Sequence, residues 1–148
     1  MSNNLPIDDV EPFKLPKDFV EFYKNEDVDW GFGDLSWVTY KRTYARELKP
    51  SYLRTSREVQ KGKKEEWFQT CRRVIEGMFT VQKIHCKQNG TPWKPGKALD
   101  QAKIAYDKMF NFKWTPPGRG IWNMGADFMF ERDGSPLNNC AFISTKDI

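Results

Sequence analysis

A chain of 148 residues has the length of one domain and can bury a core. Its 15% aromatic content, with six Trp and eleven Phe, excludes a disordered solvating chain, and a net charge of +4 from 24 basic against 20 acidic residues is too mild to single out a polyanionic partner. Cys71, Cys86 and Cys140, with no CxxC spacing and only His85 beside them, do not make a zinc site, and no apolar run approaches the ~20 residues that cross a bilayer.

An odd cysteine count without a signal peptide fits a reducing compartment, so the expectation is a soluble, cytoplasmic protein. Residues 1–16 carry Asn3-Asn4, Pro6, Pro12 and Pro16 with little periodicity, and are expected to form a flexible or extended leader. Pro16 suits the start of a helix over 17–25, with Phe19, Val20 and Tyr23 on one face. Trp30-Gly31-Phe32-Gly33 reads as a turn. Asp34 can cap a helix over 35–48, in which Trp37, Tyr40, Tyr44 and Leu48 make one apolar stripe. Lys41, Arg42, Arg46 and Lys49 lie mostly off that stripe, as either an anion-binding face or a solvated surface.

Pro50 ends that helix, and residues 51–65 are mixed and charged, with Lys61-Gly62-Lys63-Lys64 as a loop. The acids Glu65 and Glu66 beside it weaken any reading as a phosphate groove. A helix over 65–82 is better marked. Trp67, Cys71, Val74, Met78 and Gln82 follow helical spacing, and Phe68, Ile75 and Phe79 widen the face, which makes Cys71 a core residue. His85 near the helix end suits a C-terminal cap as readily as chemistry. After Asn89-Gly90-Thr91-Pro92 and Lys94-Pro95-Gly96, a last helix is expected over 97–112 on Leu99, Ala102, Tyr106 and Met109.

Beyond residue 112, two Pro and two Gly within Pro116-Pro117-Gly118-Arg119-Gly120 predict an irregular connection. Gly134-Ser135-Pro136 is a second turn, leading into Cys140-Ala141-Phe142-Ile143, a short apolar run suited to a buried strand. Spacing alone leaves Cys140 either a buried, inert thiol or a reactive one at the mouth of a strand.

Pro117-Gly118-Arg119-Gly120-Ile121-Trp122 with Leu137-Asn138-Asn139-Cys140 resembles the entrance to the catalytic barrel of adenosylcobalamin-dependent (class II) ribonucleotide reductases, nearest to the monomeric ribonucleoside-triphosphate type. Upstream, the block from Trp37 to Arg46 resembles the opening of the same enzymes, and Val74-Ile75-Glu76-Gly77 resembles their Val-Val-Glu-Gly stretch. The resemblance implies a mainly α N-terminal region leading into the first strand of a ten-stranded α/β barrel. Residues 1–16 would be a leader, 17–112 the helical region and 113–148 the incomplete start of the barrel. A single buried strand cannot satisfy its own backbone groups, which agrees with a fold completed by further chain.

In such enzymes a ribonucleotide loses its 2′-hydroxyl by thiyl-radical chemistry started by adenosylcobalamin. The resemblance makes Cys140 the first of two redox-active cysteines, its partner lying outside this chain. It brings Ser135, Asn138 and Asn139 near substrate, although plain turn chemistry also explains them, and Arg119 pairs either with a substrate phosphate or, structurally, with a carboxylate of the barrel. Pro136 lengthens the segment before Leu137 by one residue relative to the family pattern, so Ser135 matches less closely than Cys140. The implied partners are a ribonucleotide, the remainder of the barrel and a thioredoxin-like reductant, with no membrane and no nucleic acid. The cobalamin-binding region is expected outside the chain, and no metal ligands within it. The alternatives are an inactive remnant or regulatory module that binds nucleotide or reductase, and a basic nucleic-acid module using Lys41, Arg42 and Arg46.

Overall fold

The computed structural model describes residues 10–48, 63–132 and 134–138. Six helices run through them: α1 (Lys17–Lys24), α2 (Asp34–Thr43), α3 (Trp67–Gln88), α4 (Pro95–Phe110), α5 (Gly118–Asn123) and α6 (Asp127–Glu131), followed by a 3-10 turn at Ser135–Leu137. Among the described residues the one β-bridge pairs Glu47 with Lys64 antiparallel. The strand expected at 140–143 lies outside the described residues.

Helix α3 is the axis of the packing. Glu66 and Gln69 form a reciprocal capping box at its start, with the Glu66 amide donating to Gln69 Oε1 at 2.8 Å. Its apolar face buries Cys71, Val74 and Ile75 against Ala102, Tyr106 and Met109 of α4. Each such fully buried large side chain contributes ~1.5–3 kcal/mol. The helix continues six residues past the expected end at 82, because Ile84 is again fully buried and nothing breaks the helix before Asn89-Gly90. Gly90 takes φ 65°, the left-handed conformation that closes a helix. α4 starts at Pro95, two residues before the expectation, since proline is preorganised for the first helical position. It stops at Phe110. Phe112 turns to φ 52° and stacks on Trp67 with ring centroids 4.7 Å apart.

Of the expected leader the structure describes residues 10–16, which form neither helix nor strand and are docked on the core: Val10, Phe13 and Leu15 are buried. The Phe13 amide donates to Thr80 Oγ1 and the Leu15 amide to Glu76 Oε1, both at 3.0 Å, so α3 side chains replace the ladder partners an extended segment lacks. The second helix is shorter than 35–48. Gly33 is its N-cap and Asp34 its first residue, and it ends at Thr43. The stripe is not one buried face, for Tyr40 is buried while Trp37 is 44% exposed.

The connection expected after residue 112 is irregular over 113–117 but turns helical from Gly118, where α5 and then α6 form. Pro117 takes the extended conformation just ahead of α5, where a missing N–H costs nothing, and Gly118 and Gly120 permit close packing rather than a loop.

Candidate functional site

The three sequence blocks, far apart along the chain, meet at one junction. Its centre is Glu65, a carboxylate only 6% exposed at the entrance to α3. An unpaired carboxylate there would be strongly disfavoured, and the fold supplies partners on both oxygens. Arg73, two turns along α3, donates Nε to Oε1 at 2.8 Å and an Nη to Oε2 at 3.0 Å. Thr70 Oγ1 donates to Oε2 at 2.8 Å, and the Tyr40 hydroxyl lies 2.7 Å from Thr70 Oγ1. The first block thus enters through Tyr40, and again through Arg46, whose amide donates to Oε2 at 3.3 Å.

The same two arginines hold the third block. Arg73 donates to the carbonyls of Ile121 at 2.9 Å and Met124 at 2.6 Å, and Arg46 Nη1 to that of Trp122 at 3.1 Å. These are the orphan carbonyls at the end of α5, and cationic donors suit them. Burial, and after it the neighbouring Arg73 charge, push the Arg46 guanidinium below its ordinary pKa.

Two glycines make the approach possible. A Cβ on Gly77 would lie 2.5 Å from the Cα and N of Gly125, and one on Gly125, which sits at φ 74°, would collide with the Arg73 carbonyl oxygen. Tyr44 closes over Gly118 in the same manner, with Cε1 and the hydroxyl 2.9 Å from where a Cβ would be. Lys41 and Arg46 of the basic face of the first block are partly buried and bonded within the chain, while Arg42 is exposed. Lys41 Nζ donates to the Glu65 carbonyl and to Glu66, while Lys64 donates to the Lys41 carbonyl at 2.8 Å.

From α5 the connection passes to the turn before Cys140. Asn123 is 3% exposed, and its Nδ2 donates to the Pro136 carbonyl at 3.1 Å. Gly134 takes φ 77°, its amide donating to the Met129 carbonyl at 2.9 Å, and the Asn138 amide donates to Ser135 at 3.1 Å. Ser135 and Asn138 thus share one exposed turn packed against α5 and α6. Arg119 is exposed on α5 and has no ion-pair partner among the described residues. Asn139 and Cys140 lie outside the described residues. Sequence reading misses Glu65, Arg73 and Asn123, none of which stands in a recognisable spacing. Gly77, a glycine inside the best helical pattern, is the available signal of close backbone approach.

The other cysteines keep their expected place. Cys71 is fully buried and burial raises its thiol pKa, so it is protonated and inert, while Cys86 is partly buried. His85 is exposed, its ring 3.2 Å from Asn89 Nδ2.

The ribonucleotide reductase alpha domain matches residues 15–126, a span that contains all of the junction. The chain belongs to that family. Within it, the chain is 36% identical over 141 residues to the Dictyostelium discoideum protein named "Probable adenosylcobalamin-dependent ribonucleoside-triphosphate reductase", covering 94% of this chain and 17% of that protein. It is 34% identical to the adenosylcobalamin-dependent ribonucleoside-triphosphate reductase of Euglena gracilis (94% and 18% covered) and 32% identical to that of Lactobacillus leichmannii (92% and 17%). A crystal structure of a B12-dependent (class II) ribonucleotide reductase superposes with a TM-score of 0.66 at 33% identity, covering 86% of this chain and 16% of that one. This alpha-domain chain spans about 17% of the length of the curated relatives it matches.

Proposed function

We propose that these residues are the N-terminal part of an adenosylcobalamin-dependent ribonucleoside-triphosphate reductase, completed by a ten-stranded α/β barrel whose first strand starts near Cys140. The observation that carries this reading is the likeness of nearly the whole chain to such reductases, in sequence and in fold together. Three separated blocks converging on Glu65 and Arg73 support it, because they pack helix, junction and turn as one unit.

In this reading a ribonucleoside triphosphate loses its 2′-hydroxyl as water and gains hydrogen in its place. That is a two-electron reduction. Cys140 and a second cysteine elsewhere in the reductase supply the two electrons and two hydrogens and become a disulfide, which a thioredoxin-like dithiol then reduces. Ser135, Asn138 and Asn139 line the approach to substrate, and the exposed guanidinium of Arg119 offers a bidentate partner for phosphate.

Adenosylcobalamin supplies the radical that starts the reaction. Its binding region belongs to the rest of the reductase. The setting proposed is the cytoplasm, and among the described residues no helix is long and apolar enough to cross a membrane.

The test is a chimera in which these 148 residues replace the matching segment of the Lactobacillus leichmannii reductase. With adenosylcobalamin and a dithiol, the chimera forms deoxyribonucleoside triphosphate, and Cys140→Ser abolishes multiple turnover. A folded chimera that is inactive, or one that Cys140→Ser leaves unchanged, overturns the reading.

A further inference from the structure

We propose that the cleft at the start of α2, with the apolar face beside it, is a docking surface for a partner polypeptide that presents an arginine flanked by apolar residues. The inference is independent of the reductase reading, since the groups that would touch the partner all lie within residues 28–38.

Of its ten residues α2 buries only Tyr40. A helix this short is marginal in water and draws its stability from packing, so one anchored side chain leaves a face for something else to cover. That face is apolar: Leu35 is 71% exposed, Val38 46% and, just before the helix, Phe32 88%. Beside it, Asp29, Trp30, Asp34 and Trp37 line a cleft of about 550 Å³. Trp30 is a fixed wall, its ring centroid 5.2 Å from that of Tyr40, 5.4 Å from Phe112 and 5.8 Å from Trp67. Trp37 supplies a second, exposed indole. Gly31 and Gly33 take φ 68° and 60°, and a Cβ on either would meet no atom within 4 Å, so the loop around the cleft is uncrowded.

Charge decides the occupant. From Glu26 to Tyr40 the sequence carries four acids, Glu26, Asp27, Asp29 and Asp34, and no base. Asp29 Oδ1 accepts the Gly31 amide at 2.9 Å, and among the described residues neither Asp29 nor Asp34 has a cationic partner. Two carboxylates repel a phosphate or a nucleic-acid backbone and attract a cation. The flat indole faces also favour a cation, and a planar, weakly hydrated guanidinium suits them better than an ammonium. A free small molecule needs most of its surface enclosed, whereas this cleft is open and borders exposed apolar residues. An arginine side chain entering the cleft, with its neighbours covering Phe32 and Leu35, meets both demands.

The probe is the peptide acetyl-Leu-Gly-Arg-Gly-Leu-amide, titrated into the isotope-labelled 148-residue chain and followed by NMR. Beside it runs the same peptide with citrulline, which keeps the shape of arginine and loses its charge. The arginine peptide is expected to move the Gly31 and Gly33 amides and the Trp37 indole N–H, with a Kd on the order of 1 mM. The citrulline peptide should bind about tenfold more weakly or not at all, and so should the arginine peptide to Trp37→Ala or to Asp29→Asn combined with Asp34→Asn. Asparagine at position 29 keeps an oxygen for the Gly31 amide, so the double change removes charge and leaves the turn. Glu21→Gln, which neutralises an exposed acid on α1, should leave binding unchanged. The citrulline comparison needs no substitution and decides the matter even where a variant misfolds. Equal binding of the two peptides, or no saturable shift at about 10 mM arginine peptide, overturns the docking surface. Self-association of the chain through Phe32 and Leu35 in place of peptide binding overturns it too.

Discussion

Replacing Gly77 with alanine tests the junction by the sign of its effect. In an open helix interior, glycine to alanine stabilises by ~1 kcal/mol. At Gly77 the new Cβ would stand 2.5 Å from the Cα and N of Gly125. Carbon atoms in contact sit ~3.5–4.0 Å apart, so the two backbones must part by roughly 1 Å. Parting draws Met124 and Ile121 away from Arg73, whose bonds to them are 2.6 and 2.9 Å long. A bond from a charged donor contributes ~1.5–3 kcal/mol and overpacking costs ~1–3 kcal/mol, which together outweigh the propensity gain. The net expectation is a loss of about 2–4 kcal/mol, or a fall in Tm of roughly 6–13 °C for a chain of this length. Thermal and urea denaturation of Gly77→Ala measure it, beside Gly96→Ala, where the added methyl meets no atom within 4 Å and no loss is expected. Gly77→Ala as stable as the parent would refute the close packing of α3 on the 121–125 segment.

Other consequences are as specific. Arg73→Met leaves Glu65 buried without its cation and should cost about 3–5 kcal/mol in urea denaturation, whereas a change below about 1 kcal/mol would show that the pair is not buried in solution. Under native conditions Cys86 should react with iodoacetamide while Cys71 reacts only on unfolding, because burial both shields that thiol and raises its pKa; equal native rates would contradict the α3–α4 interface. Burial raises the pKa of the Tyr23, Tyr40 and Tyr106 phenols above the ordinary 10.0, with the Asp107 bond adding to the effect at Tyr23. The folded state then holds these protons more tightly than the unfolded chain. Their stabilisation is complete below the unfolded pKa and is lost as pH rises above it, so the urea midpoint should drop between about pH 9 and about pH 11. An unchanged midpoint would place these hydroxyls in water.

Where apolar periodicity is strong the sequence is readable, and where packing rather than pattern decides, it is not. Trp67, Cys71, Val74 and Met109 mark α3 and α4 because one face of each is buried along its length. The second helix is shorter than its pattern suggests: Trp37 shares the spacing of Tyr40 but is exposed, and the helix ends at Thr43, before Tyr44 and Leu48. α5 and α6 are hidden by Pro116, Pro117, Gly118 and Gly120, residues that usually break helices and here start one and permit contact. The extended leader is legible as non-helical, yet its docking depends on Glu76 and Thr80, more than sixty residues away. At the site, the motif containing Cys140 is visible only through family resemblance. Arg73 and Asn123 act through carbonyls, which no side-chain pattern reveals.

The most direct measurement of the central claim is the thiol state of Cys140 after one turnover of the chimeric reductase without added dithiol. Peptide mass spectrometry should find Cys140 in a disulfide with a second cysteine of the reductase, in proportion to deoxyribonucleotide formed and only when substrate and adenosylcobalamin are present. Product formed while Cys140 remains a free thiol would contradict the account.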